Sequence, residues 1–128
     1  MKASLRVSVV IATYNRAGLV RQAIQSALEQ TVQPLEIVVV DDGSTDSTPR
    51  VLAKFGNHIR IVHQPNQGRS AARNAGVNHG RGEVIAFLDS DDIWFPEKLA
   101  KQLAVLEANP TLGLVHAFSD VVDENSVR

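Results

Sequence analysis

A chain of 128 residues, 44% hydrophobic and 21% charged, is large enough for one domain with its own core and has the composition of an ordinary globular protein. Its formal net charge of −1 supplies no basic field to draw a polyanion, so nucleic acid is not an expected partner. The absence of cysteine excludes disulfides, thiolate catalysis and zinc–thiolate sites.

The first element is an apolar, β-branched run, Val7 to Ala12, the pattern of a strand buried on both faces. It is too short to span a membrane, and no small-residue cleavage signature accompanies it, so a cytoplasmic protein is expected, with peripheral contact at the inner membrane face as a variant. Ala17 to Gln30 reads as a helix with Leu19, Val20, Ala23, Ile24, Ala27 and Leu28 on one stripe. Residues 35–40 make a second strand. Thr48 as N-cap and Pro49 at the first helical position open a short helix that Gly56 stops. Ile59 to His63 is a third strand, Gln64 to Gly68 a polar loop, and Ser70 to His79 a small-residue helix closed by Gly80.

Val84 to Leu88 is a fourth strand. Pro96 opens a helix with Leu99, Leu103 and Leu106 inward, Asn109-Pro110 ends it, and Leu112 to Phe118 is a fifth strand. Strand and helix alternating at this spacing imply βαβ units and right-handed crossovers. The expected fold is α/β, a Rossmann-like three-layer sandwich with a mainly parallel sheet. There is no internal repeat, and residues 1–128 read as a single domain.

The polar residues fall at one edge. Thr13-Tyr14-Asn15-Arg16 follows the first strand, Asp41-Asp42-Gly43-Ser44 the second, Gln67-Gly68-Arg69 the third, and Asp89-Ser90-Asp91-Asp92 the fourth. Carboxyl ends of parallel strands line the ligand crevice of open α/β sheets, so these loops should converge. Two acidic clusters on one edge repel, and a divalent cation near them or a protonation shift relieves that. Hard carboxylate oxygens suit Mg²⁺ or Mn²⁺, which complete their shell with water and phosphate. The competing reading makes Asp89 and Asp92 caps of the turn before Pro96.

Gly68 and the small residues of Arg69-Ser70-Ala71-Ala72-Arg73-Asn74-Ala75-Gly76 let a helix start come close to a backbone or ligand. Arg73 offers a planar fork for a phosphate or for the acids opposite. Thr13 and Tyr14 could lie against a base, with Asp41 or Asp42 accepting from its edge, although a lone aromatic after a strand is more often packing. Trp94 is read as core. His58, His63, His79 and His116 show no metal spacing and are read as surface or strand-end residues.

Taken in order, Val-Ser-Val-Val-Ile-Ala-Thr-Tyr-Asn-Arg, Glu-Ile-Val-Val-Val-Asp-Asp-Gly-Ser-Thr-Asp, Gly-Arg-Ser-Ala-Ala-Arg-Asn-Ala-Gly and Phe-Leu-Asp-Ser-Asp-Asp resemble glycosyltransferase family 2, an inverting family of GT-A fold. The resemblance covers residues 7 to about 118. It implies a nucleoside-diphosphate sugar donor, a uridine diphosphate sugar foremost, a carbohydrate or lipid-linked acceptor such as a cell-envelope polysaccharide, and a divalent metal, Mn²⁺ or Mg²⁺.

By position it implies that Thr13, Tyr14 and Asp42 contact the base, with Asp41 and Ser44 in support. Asn15 and Arg16, and Gly68, Arg69, Arg73 and Asn74, fall in the same donor-binding motifs. Asp89, Ser90 and Asp91 form the DXD motif, Asp91 as metal ligand, Asp89 shared between metal and ribose, and Asp92 only capping. An inverting transferase needs a general base, which in this family lies well downstream of that motif. Asp120, Asp123 and Glu124 carry no pattern that marks one of them. The expectation is therefore a donor-binding part truncated on its C-terminal side, with the acceptor-binding part absent and an apolar edge beside the fifth strand that invites a homodimer.

Three other classes fit less well. A nucleotidyltransferase wants a Gly-rich basic loop after the first strand, where this chain has one glycine. A response-regulator receiver domain places its acidic pair after the first strand, and here the pairs follow the second and fourth. A dinucleotide-binding module needs Gly-x-Gly-x-x-Gly there, which is absent. A module that binds the donor without transferring sugar remains open.

Overall fold

A computed structural model describes residues 5–109, 111 and 113. Four strands, β1 (Val7–Thr13), β2 (Glu36–Asp41), β3 (Arg60–His63) and β4 (Val84–Phe87), form one sheet in the order β3-β2-β1-β4. Every pairing is parallel, with Thr13 opposite Asp41, Asp41 opposite His63, and Val10 opposite Phe87. The near-continuous apolar runs of β1 and β2 have this cause: both are central strands covered on two faces.

One layer contains α1 (Ala17–Leu28), α2 (Thr48–Ala53) and α4 (Lys98–Ala108). It closes the larger core, built on Val7, Val9, Ile11, Ile37 and Val39 with Val20, Ile24, Leu52, Trp94, Leu99 and Leu103. The other layer is α3 (Arg69–His79), lying on the β1 and β2 face that carries Val38 and Val40, with Ala72 against them. A Cβ at Gly76 would sit 2.2 Å from Val10 Cγ1; only glycine lets the helix lie that close. The three-layer α/β expectation holds, and Trp94 is core.

Several boundaries differ from the sequence reading. Thr48 is the first helical residue, not the cap; Asp46 Oδ1 accepts its amide at 2.8 Å. α1 ends at Leu28, ahead of Gln30, and Leu19 is 44% exposed, because Val20, Ala23, Ile24 and Ala27 already fill the sheet-facing stripe. β2 starts at Glu36, one residue late, and carries on to Asp41. Pro96 does not open the last helix, which begins at Lys98; its carbonyl is instead bound by Thr31 N at 2.9 Å. The fifth strand, the edge it would leave for a homodimer, and Asp120, Asp123 and Glu124 lie outside the described residues. Among those described, no helix is long and apolar enough to cross a membrane.

Candidate functional site

The chain runs β1, β2, β3 in one direction along the sheet and then crosses to β4 on the far side of β1. Strand order therefore reverses between β1 and β4, the position where an open α/β sheet leaves a crevice above its carboxyl ends. Two loops border it: residues 14–16 after β1 and residues 88–93 after β4.

The β4 loop leaves the sheet where Leu88 N bonds Val10 O at 3.0 Å, and a turn closes it as Asp92 N bonds Asp89 O at 3.0 Å. The turn gathers carboxylate oxygens of Asp89, Asp91 and Asp92 within 4.8 Å of one another. Ser90, between them, is buried. Partial burial, then the charges of Asp89 and Asp91, push the Asp92 carboxyl above its ordinary value of 3.8, against the pull of Lys98. Asp92 therefore belongs to the cluster. The capping role read for it fails because α4 starts six residues later, at Lys98, and Glu97 stands at its N-cap.

Two guanidiniums meet the cluster, one from each layer. Arg73 of α3 donates through Nη2 to Asp89 Oδ1 at 2.6 Å and stacks over the Phe87 ring at 5.7 Å. Arg16, at the N-cap position of α1, brings Nη1 to 3.6 Å from Asp91 Oδ2. The cation that the sequence demanded near these acids is thus supplied in part by the chain itself.

The β1 and β2 loops are stitched together by Asn15. Its backbone is left-handed, φ 50°, a conformation asparagine tolerates. Its Oδ1 accepts from Thr45 N at 2.7 Å and Asp46 N at 3.2 Å, while its own N donates to Ser44 Oγ at 3.0 Å. Arg16 N donates to Thr48 Oγ1 at 3.2 Å.

Asp41 is buried, accepting from Ser44 N at 3.1 Å and standing 3.3 Å from His63 Nδ1. Thr13, opposite it, is buried with its hydroxyl unpaired. Asp42, on the α3 side, accepts from Gln64 Nε2 at 2.8 Å, Gln67 N at 2.9 Å, Gly68 N at 3.0 Å and Asn66 Nδ2 at 3.3 Å. Burial opposes its ionisation, yet these bonds hold its pKa below 3.8. Gly68, φ 98°, turns the chain into α3.

The structure thus brings the four polar loops to one edge, but with different availability. Asp89, Asp91, Asp92, Arg16 and Arg73 form one charged cluster. Tyr14, Arg69 and Asn74 are exposed. Asp41, Asp42 and Thr13 lie beneath the surface. An open hollow of about 640 Å³ lies along Tyr14, Asn15, Arg16, Gly18, Leu19 and Asp46, and Asp89, Asp91 and Asp92 do not line it. Sequence reasoning passed over two buried polar residues of the α1 end, Ser26 and Gln30. Their signal was present: polar side chains in phase with an apolar stripe.

The profile of the glycosyl transferase family 2 matches residues 8–127. An uncharacterised glycosyltransferase of Nostoc sp. (strain PCC 7120) is 41% identical over 125 residues, 94% of this chain and 38% of that protein. Among solved structures, S. aureus TarS 1–349 in complex with UDP-GlcNAc matches with a TM-score of 0.74 and 29% identity over 83% of this chain and 32% of that one. The mannosyltransferase PcManGT from Pyrobaculum calidifontis, in complex with GDP-Man and Mn²⁺, matches with a TM-score of 0.75 and 32% identity over 88% of this chain and 35% of that one. The chain thus spans about a third of the length of these proteins.

Proposed function

The chain belongs to glycosyl transferase family 2, and from that premise we propose that it holds the donor in a metal-assisted sugar transfer. The donor class is a nucleoside-diphosphate sugar, uridine diphosphate foremost. The acceptor is a carbohydrate or lipid-linked glycan of the cell envelope, whose hydroxyl attacks the anomeric carbon of the donor sugar with inversion as the nucleoside diphosphate leaves. The observation that carries this reading is the gathering of Asp89, Asp91 and Asp92 within 4.8 Å at the point where strand order reverses.

The donor set fits Mn²⁺ or Mg²⁺: hard carboxylate oxygens, half-buried at Asp89 and exposed at Asp91 and Asp92, close enough to share one ion and open to water and phosphate. Bound there, a divalent ion would stabilise the charge that builds on the departing nucleoside diphosphate. Asp91 and Asp89 are the ligands in this reading, and Asp92 adds charge beside them. Arg16 and Arg73 turn from the acids toward the phosphates, with Arg69 at the start of α3 and Asn74 exposed farther along it. Tyr14 offers its ring to the base. Asp42 shapes the floor through the residue 64–68 loop; its carboxylate can reach a base edge only by giving up Gln64 or Asn66. The ligands held by the two solved relatives, UDP-GlcNAc in one and GDP-Man with Mn²⁺ in the other, support the donor class and the ion.

Calorimetric titration with uridine diphosphate tests the proposal. Binding should require Mn²⁺ or Mg²⁺, vanish with chelator, and be lost in Asp91→Ala while circular dichroism stays that of the wild type. Metal-independent binding, no binding of any nucleoside diphosphate, or an Asp91→Ala variant that binds normally each overturns the site assignment.

A further inference from the structure

We propose that Gln30 and Ser26 are positioning residues for the acid cluster, setting the geometry of Asp89, Asp91 and Asp92 from beneath. The inference rests on the donor-site reading above and names what holds that site in shape.

Both residues are buried at the end of α1, beside its apolar stripe. A primary amide buried without partners is costly, so its bonds show what it is there for. Gln30 uses both its donor and its acceptor. Its Nε2 donates to Ser26 O at 3.1 Å and Phe95 O at 2.8 Å, and its Oε1 accepts from Leu99 N at 3.0 Å. Ser26 Oγ donates to Ala23 O at 2.7 Å and accepts from Trp94 N at 3.1 Å. Thr31 N adds a bond to Pro96 O at 2.9 Å.

This seam grips the backbone from Trp94 to Leu99, directly after the acids. Leu99 N belongs to the first turn of α4, whose amides lack partners within the helix. Glu97 makes no side-chain cap there, and Gln30 caps the helix from outside.

The other end of the loop is pinned where Leu88 N bonds Val10 O. Between the pins at Leu88 and Trp94 lie only residues 89–93, folded by one turn. Both pins belong to the same βα unit, β1 on one side and α1 on the other. The arginine pairs cannot define the loop in this way: their side chains are 38–49% exposed, and exposed ion pairs are weak. Trp94, Leu99 and Leu103 hold the segment to the core without the seam. Removing the seam therefore releases the loop more than the fold.

The test uses the full chain and Mn²⁺ alone, with bound and free ion separated by electron paramagnetic resonance below every variant's melting midpoint. Gln30→Met keeps length and volume without the bonds; Ser26→Ala removes the Trp94 anchor; Ile59→Val is a destabilised control in the core away from the seam. Gln30→Met should weaken Mn²⁺ by about tenfold, in the range seen when groups that orient metal ligands are removed, with Ser26→Ala weaker in the same direction. Ile59→Val should lower the midpoint and leave Mn²⁺ affinity unchanged. Equal binding by wild type and both seam variants overturns the inference alone, as does an equal loss in Ile59→Val. A wild-type chain that takes up no Mn²⁺ overturns the donor-site reading and this inference with it.

Discussion

Arg16 Nη1 stands 3.6 Å from Asp91 Oδ2, tying the loop after β1 to the acid loop after β4 across the point where strand order reverses. The guanidinium occupies the place beside Asp91 that a metal ion would compete for. Under the donor-site proposal, an ion on Asp91 would free Arg16 for the diphosphate.

Arg16→Ala should therefore act in opposite directions on two ligands. The pair is exposed, with side chains 40% and 49% accessible, so stability should change by no more than about 0.5 kcal/mol. Mn²⁺ alone should bind up to about twofold more tightly once a competing cation is gone. Uridine diphosphate with Mn²⁺ present should bind more weakly, because a planar phosphate partner is lost. Paired titrations decide it; the two affinities moving together would show that Arg16 does not exchange between acid and phosphate.

Gly76 and Gly18 both lie inside helices and should respond oppositely to alanine. A Cβ on Gly76 meets Val10 at 2.2 Å, whereas one on Gly18 meets nothing within 4 Å. Gly76→Ala should cost about 1–3 kcal/mol by forcing α3 off β1, and Gly18→Ala should gain about 0.5–1 kcal/mol by removing backbone freedom from the unfolded chain. Urea unfolding of both variants measures the difference. A neutral Gly76→Ala would mean the helix can shift without loss.

Glu36 gives the fold an acid-sensitive contact far from the site, at the amino edge of the sheet. Its carboxylate accepts from Ser8 Oγ at 2.6 Å, from Arg60 Nη1 at 3.2 Å and from the Arg81 amide, joining β1, β3 and the chain that enters β4. Burial opposes the charge, but those bonds and Arg60 outweigh it and hold the pKa below 4.5. A lowered folded-state pKa contributes stability that is complete above 4.5 and is lost as pH falls through the folded value. Glu36→Gln should cost about 1–3 kcal/mol near neutral pH. It should also flatten the stability loss as the pH falls below Glu36's ordinary value of 4.5, since the variant has no proton to take up there. Denaturation midpoints across that range check it; an unchanged acid slope would place the sensitivity elsewhere.

Much of the architecture was legible along the chain. Val7 to Ala12 and residues 35–40 read as strands because strands buried on both faces need no alternation. The edge at which the polar loops meet followed from the same logic, since βαβ units put every carboxyl end on one side. Local signals misled where a tertiary partner did the work. Pro96 resembled a helix start, but its carbonyl is taken by Thr31. Thr48 resembled a cap, but Asp46 supplies the capping oxygen. Leu19 fitted the stripe by period yet faces out, because Val20, Ala23, Ile24 and Ala27 already fill the sheet-facing stripe.

Composition, spacing and motif order by themselves determined the α/β class, the parallel sheet, the converging loops and the family, because each is written in local pattern. Which side chains are free to act was decided only by the folded chain. Asp42, legible as a site residue, spends its carboxylate on the loop that leads to Gly68, and Asp92, dismissed as a cap, joins the acids. Arg16 and Arg73, 57 positions apart in the chain, meet one cluster from opposite layers of the sheet. Gln30 grips residues 95 and 99 from just past the end of α1. Those relations depend on contacts between distant segments, and no local pattern encodes which distant groups will satisfy a buried polar atom.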